Sequence, residues 1–371
     1  MTRPPDWPLG LARLAQALGR DLQRAARRSG GPEALWCADR EALGRALGVA
    51  GPELEAAAGA RRRFDAAAER RRLADAAIEH LGADDPRYPG RLVELHDPPF
   101  GLFARGSLDG ALAALAEGPA VAIVGSRRAT TQGRALARGL ACRLAERGAV
   151  IVSGLAHGID AAAHEGALDA DGVTVAVLGC GVDVPYPRRN RALARRIAER
   201  GALVSEYWPG TAPAPWRFPA RNRIVAGVAQ AVAVVEAGRR SGALITADFG
   251  LELGRPVLAV PGWPGALASE GCNGLLRAGA GLLEDADDVV AELPDAGWSD
   301  PAAARPTPLE GLPRRVHDLL AREPMAADDL ARELAEDAAA VAGAIAMLEV
   351  EGLAVRGEAQ RYWAAPLRGA A

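Results

Sequence analysis

The chain has 371 residues, 49% hydrophobic and 25% charged, enough to bury a large core in two or three domains. A formal net charge of −3 argues against bulk attraction to nucleic acid or a membrane surface but leaves room for a local basic patch. No apolar run approaches the ~18 residues needed to span a bilayer, and every Lys/Arg position is arginine, so an anion site must use planar, bidentate guanidinium groups.

The N-terminus lacks the charged, apolar, small-residue order of a signal peptide. Cys37, Cys142, Cys180 and Cys272 are far apart and form no CxxC. With only five histidines besides, neither a zinc site nor a disulfide framework is expected, and a reducing, cytoplasmic setting is. No metal or cofactor is expected.

Residues 1–83 are rich in Ala, Arg and Leu at helical spacing, and "ADREALGRALGVAGPELEAAA" reads as a helix, a Gly-Pro break and a second helix. The Pro- and Asp-rich stretch from about 84 to 118 reads as a docking segment rather than a core element. From 119 the pattern alternates. Short apolar runs at 120–124, 149–152, 173–178, 202–205, 231–236 and 256–260 are separated by segments long enough for helices. Runs apolar throughout predict a parallel sheet covered on both faces. The domain at 84–292 is therefore expected to be α/β, a Rossmann-like, doubly wound, mostly parallel sheet.

A linker is expected at 293–306, and 307–371 follows the helix, helix, helix, hairpin order of a winged helix. Its third helix, "DAAAVAGAIAMLEVEG" (337–352), has no basic residue and carries Asp337, Glu349 and Glu351. Reading duplex DNA through that helix is not expected; a protein–protein or regulatory contact is.

Ligands of a doubly wound sheet bind beyond the carboxyl ends of its strands. Five strand-to-helix turns fall there. They hold Gly125, Ser126 and Arg127; Ser153 and Gly154; Gly179 to Pro187; a long loop ending in Phe218, Arg221, Asn222 and Arg223; and Ser241 with Gly242. Exposed N–H groups at helix starts favour anions. One such turn alone would be read as capping and tight turning, but five on one edge point to an anion site with Arg127, Arg221 and Arg223 as its cations.

Two features exclude alternatives. No GxGxxG follows the first strand and no acidic residue ends the second, which argues against NAD. A P-loop is impossible without lysine. His157, Asp160 and His164 read as capping and a packed histidine rather than a metal or acid/base group, so no catalytic residue is assigned.

The stretches "VGSRRATTQG", "SGLAHGIDAAAH", "VLGCGVDVPYPRRN", "SEYWPGT", "FPARNRIVAGV", "EAGRRSGALITA", "VLAVPG" and "GCNGLLRAGA" arrive in an order that resembles the DNA-processing protein A family, also called DprA or Smf, over roughly 90–285. More loosely, 1–83 resembles the family's SAM or helix-hairpin-helix-like domain and the C-terminal unit its winged helix. The resemblance implies single-stranded-DNA binding without catalysis, protection of incoming strands in natural transformation, loading of the RecA recombinase, and a homodimer. It also implies a DNA-phosphate pocket lined by Arg127 from the GSR turn and Arg221 and Arg223 from RNR, with Ser153 and Gly154 as the SG turn and Phe218 at the pocket or against a base. Tyr186, Tyr207, Trp208 and Trp216 are either stacking platforms or loop packing, and Arg188, Arg189, Arg191, Arg195 and Arg196 either a basic track or a solvated helix face. The competing expectations are a nucleotide-sensing module and a nucleotide phosphoribohydrolase-like enzyme of the same fold. The latter would need a glutamate where "GRRSGALITADFG" offers only Asp248.

Overall fold

A computed structural model describes residues 6–299, 309–350, 353–357 and 360–364. Glu351 and the expected linker residues 300–306 lie outside the described residues.

Among the described residues, six short helices precede the first strand: α1 (Trp7–Leu18), α2 (Gln23–Arg28), α3 (Pro32–Cys37), α4 (Arg40–Leu47), α5 (Gly51–Arg62) and α6 (Ala66–Asp75). Sequence chemistry sets their ends. The Asp39 and Asp65 carboxylates accept from the backbone N–H of Ala42 and Ala68, capping α4 and α6. The Gly-Pro pair opens α5 as expected. Leu11, Leu14, Leu22, Leu35, Trp36 and Leu43 close this module around its own core.

The central domain follows as β1 (Glu79–Gly82), β2 (Gly101–Gly106), α7 (Leu108–Glu117), β3 (Ala120–Val124), α8 (Thr131–Glu146), β4 (Val150–Ser153), α9 (Ile159–Asp169) and β5 (Thr174–Val177). It continues through α10 (Arg191–Arg200), β6 (Ala202–Ser205), α11 (Arg217–Val228), β7 (Ala231–Val234), α12 (Gly242–Glu252) and β8 (Val257–Ala259). Its last elements are α13 (Glu270–Arg277), β9 (Gly281–Leu282) and α14 (Ala286–Glu292). The sheet order is β1-β2-β6-β5-β4-β3-β7-β8-β9. Every pair from β6 to β9 is parallel, whereas β1 and β2 join antiparallel at one edge. Alternate residues serve opposite faces. Thus Ala120, Ala122 and Val124 of β3 face one apolar cluster, shared with α7, α11 and α12, while Val121 and Ile123 face another, shared with α8 and α9.

The expectation of a docking segment at 84–118 is overturned. Leu102, Phe103 and Ala104 are fully buried in β2, and β2 pairs with β6 inside the sheet. The expected boundary after residue 83 therefore falls just beyond β1, which is an antiparallel neighbour of β2.

The C-terminal unit comprises α15 (Gly311–Leu320), β10 (Met325–Ala326), α16 (Ala327–Leu334), α17 (Ala338–Val350), β11 (Ala354–Arg356) and β12 (Arg361–Ala364). Val316, Leu320, Leu330, Val341, Ile345 and Leu348 form its core under an antiparallel β10-β12-β11 sheet. Asp337 accepts from the N–H groups of Ala339 and Ala340, so this carboxylate starts α17.

Candidate nucleic-acid interface

The chain order of strands reverses about β3, whose neighbours are β4 and β7. A doubly wound sheet opens its ligand crevice at such a point. There, beyond the ends of β3, β4 and β5, lies a pocket of about 60 Å³ lined by Arg127, Gly154, His157, Tyr186, Phe218 and Arg221 among others. This is far below the ~300–1,000 Å³ of a small-molecule site, so it admits one small group rather than a whole nucleotide.

Arg221 forms the floor. It is 4% exposed and donates to the carbonyls of Gly154, at 2.7 Å, and Val177. Burial pulls its pKa below the ordinary arginine value, Asp160 opposes the fall and Arg127 adds to it. Burial in turn raises the Asp160 carboxyl, against the pull of Arg221. Asp160 also accepts from the Ala156 N–H, which lies upstream of α9; the capping role expected of it is not filled, since the N-cap of α9 is Gly158, with no side-chain cap. A Cβ on Gly154 would run into the Arg221 guanidinium, so glycine is required by close approach.

Arg127 forms the rim. Its exposed guanidinium stands 5.2 Å from the centroid of the Phe218 ring, and no carboxylate of the described residues pairs with it. Tyr186 stacks on the other part of Phe218, with centroids 5.4 Å apart and planes at 30°. The turn that carries Arg127 is held from β7's end. Glu236 accepts from the Thr130 hydroxyl at 2.6 Å and from its N–H, and the Glu236 carbonyl accepts from the Ser126 N–H at 2.6 Å. Thr130 then caps α8 by accepting from the Gly133 N–H. Across the pocket, Ile159 N–H donates to the Ser126 carbonyl, and Gly158, at φ +80°, lets the two turns touch there. The pocket thus presents two guanidinium groups against one buried carboxylate, a site biased toward an anion.

The structure brings Arg127, Gly154, Phe218 and Arg221 together and places the other expected residues elsewhere. Arg223 is a correction to the expected trio of cations. It is buried on the far side of α11, bidentate to Glu206 at 2.9 and 2.7 Å and 3.2 Å from Asp97. Burial works against its charge, but Glu206 holds its pKa above the ordinary value. Ser153 belongs to β4, is fully buried, and donates its hydroxyl to the Ile123 carbonyl at 2.6 Å. Gly125 and Ser126 shape the turn. Asn222 reaches sideways, donating to the Gly242 carbonyl at 3.0 Å, while Ser241 caps α12.

His157 lines the pocket, which the sequence reading had not assigned to it; its place in an SGLAHG turn was the available signal. Glu236, at the end of an apolar run, was the signal for the turn's anchor. His164 is a packed histidine as expected, fully buried against the Thr174 hydroxyl at 2.7 Å, and burial lowers its pKa to about 3. Trp208 is packing: it is buried and covered by Arg13. Arg188, Arg189, Arg191, Arg195 and Arg196 are all exposed, and none is ion-paired among the described residues. No group of three or more His, Cys, Asp and Glu side chains among the described residues is placed to hold a metal, and no described helix is long and apolar enough to cross a membrane.

The family described as DNA recombination-mediator protein A matches residues 79–294, and the DprA winged helix domain matches 300–360. A putative DNA processing protein DprA of Mycobacterium tuberculosis is 41% identical over 338 residues, 83% of this chain and 82% of its own. The DNA processing protein DprA of Streptococcus pneumoniae is 46% identical over 208 residues, 56% of this chain and 72% of its own. The X-ray structure of the Streptococcus pneumoniae DprA superposes with a TM-score of 0.64 at 35% identity, covering 75% of this chain and 95% of that one. A structure describing the single-stranded-DNA binding mode of DNA processing protein A from Helicobacter pylori superposes with a TM-score of 0.52 at 31% identity, covering 58% and 95%.

Proposed function

This chain belongs to the DNA-processing protein A family, and on that premise we propose that it binds single-stranded DNA by gripping a backbone phosphate between Arg127 and Arg221. The observation that carries the reading is the exposed Arg127 guanidinium without a carboxylate partner among the described residues, poised over Phe218 beside the buried Arg221. A phosphate oxygen would accept from both guanidinium groups, and charge-assisted bonds of this kind are the strong ones. The Helicobacter pylori relative, similar over 58% of this chain, supports single strands as the ligand.

Phosphate contacts carry no sequence information, so binding without sequence preference follows. Phe218 and Tyr186, stacked at the rim, offer the π-face that every base shares. Gripping is assigned to the central domain, with the N-terminal helical module and the C-terminal unit as flanking domains. The family membership further suggests a cytoplasmic homodimer that protects incoming strands in natural transformation and loads RecA on them. No chemical step is assigned: Asp248, the one acid near the position where a phosphoribohydrolase would carry its glutamate, is exposed on α12 and does not line the pocket.

A gel-shift series with single- and double-stranded oligonucleotides, with and without RecA, tests the reading. Salt-sensitive binding that favours oligo-dT supports it. Equal or stronger duplex binding, or release of free base from a nucleoside monophosphate, sinks it.

A further inference from the structure

A second cavity, about 360 Å³, runs along the seam between α1 and the loop joining β6 to α11. Its size falls in the ~300–1,000 Å³ range of small-molecule sites. One wall is made of small residues, Ala12, Ala15 and Gly19. The facing wall is aromatic, with Tyr207 and Trp216 in edge-to-face contact at 6.2 Å. The Arg217 guanidinium lies over both rings, 5.1 and 4.9 Å from their centroids, and donates to the Ala212 carbonyl. Its Nε is buried without a hydrogen-bond partner among the described residues. Trp216 is nonetheless 51% exposed, an aromatic face that the fold leaves open.

The charges of this cleft select against an anion. Its ionisable lining is Arg20, Arg217 and Arg223 against Asp21, Asp97 and Glu206. Arg223 already engages both Asp97 and Glu206, so their charges are taken up in ion pairs. A cleft so balanced gives a phosphate no net field, while its flat, apolar walls suit a neutral planar group. The seam is pinned in place. Gln23 donates to the Pro98 carbonyl at 2.7 Å, and Arg13 covers Trp208.

Arg217 and Phe218 are consecutive residues of α11, one lining this cleft and the other the phosphate pocket. The two cavities therefore flank a single helical turn. We propose that the seam cleft receives a nucleobase of the strand whose phosphate sits between Arg127 and Arg221, stacked on Trp216 with Tyr207 meeting its edge. The proposal rests on the DNA-binding reading above.

The test is fluorescence anisotropy on the full chain with labelled oligo-dT and with an abasic deoxyribose-phosphate oligomer of equal length. The wild type should bind oligo-dT more tightly than the abasic strand. Trp216→Ala should lose about 10- to 100-fold on oligo-dT, the scale of one lost base stack, and nothing on the abasic strand. Trp216→Phe should recover most of the loss, which separates stacking from misfolding. If Trp216→Ala binds oligo-dT as the wild type does, or loses equally on both strands, the cleft is not a base site while DNA binding stands. If the wild type binds neither strand, both readings fall.

Discussion

Arg221 donates to the carbonyl of Gly154 across 2.7 Å, joining two residues 67 positions apart at the floor of the proposed phosphate pocket. The contact locks helix α11 to the turn after β4 and leaves no room for a side chain at Gly154. Gly154→Ala is therefore expected to force the guanidinium aside, at about 1–3 kcal/mol of stability. Urea unfolding measures that loss, and anisotropy should show weaker oligo-dT binding in the same variant. Unchanged values on both would show that Arg221 has another resting place.

Arg127→Ala is expected to act on binding alone. The side chain is exposed, so stability should stay within about 0.5 kcal/mol of the wild type. A hydrogen bond to a charged group contributes roughly 1.5–3 kcal/mol, so affinity for oligo-dT should drop about 10- to 100-fold. One phosphate contact fewer should also make the slope of log affinity against log salt shallower by about 0.7. An unchanged slope would remove Arg127 from the phosphate site.

Arg223→Ala should behave in the opposite way. It leaves Glu206 and Asp97 without their buried partner, and breaking such a pair costs about 3–5 kcal/mol. The urea midpoint should fall steeply, while the fraction that stays folded should bind oligo-dT with a wild-type salt slope. A reduced slope would return Arg223 to the DNA-binding set.

Two buried histidines give the protein an acid-sensitive stability. Burial lowers His80 to about 4 and His164 to about 3, against an ordinary value of 6.5. Between those values the unfolded chain binds more protons than the folded one, so stability is fully present above pH 6.5 and declines as pH falls toward 3. At pH 5 each histidine should account for about 2 kcal/mol of lost stability. Urea titrations at pH 7 and pH 5 measure the difference, and a midpoint that does not move would show that these rings are reached by water.

The strands from β3 to β8 were legible because a parallel sheet covered on both faces leaves apolar runs with no polar interruption. β1 and β2 were not. They lie at the antiparallel edge, among prolines and aspartates that read as loop, and only the pairing of β2 with β6 and of β1 with β2 shows them to be sheet. The turns with Arg127 and Gly154 could be placed on one edge from strand order alone, because parallel strands all end there.

The fate of the arginines in "FPARNR" marks the division. From the residues themselves came an arginine-rich strand-end site, an α/β core and the lack of a P-loop or dinucleotide fingerprint, since composition and periodicity carry these directly. In the sequence Phe218, Arg221 and Arg223 stand at the end of a loop, free to converge; the structure puts all three in α11. Helical residues two apart point roughly 200° away from each other, so Arg221 and Arg223 cannot enter one pocket. Which of the two meets Gly154 and which meets Glu206 is decided by the rotation of α11 against the sheet, a property of long-range packing that no local stretch of sequence contains.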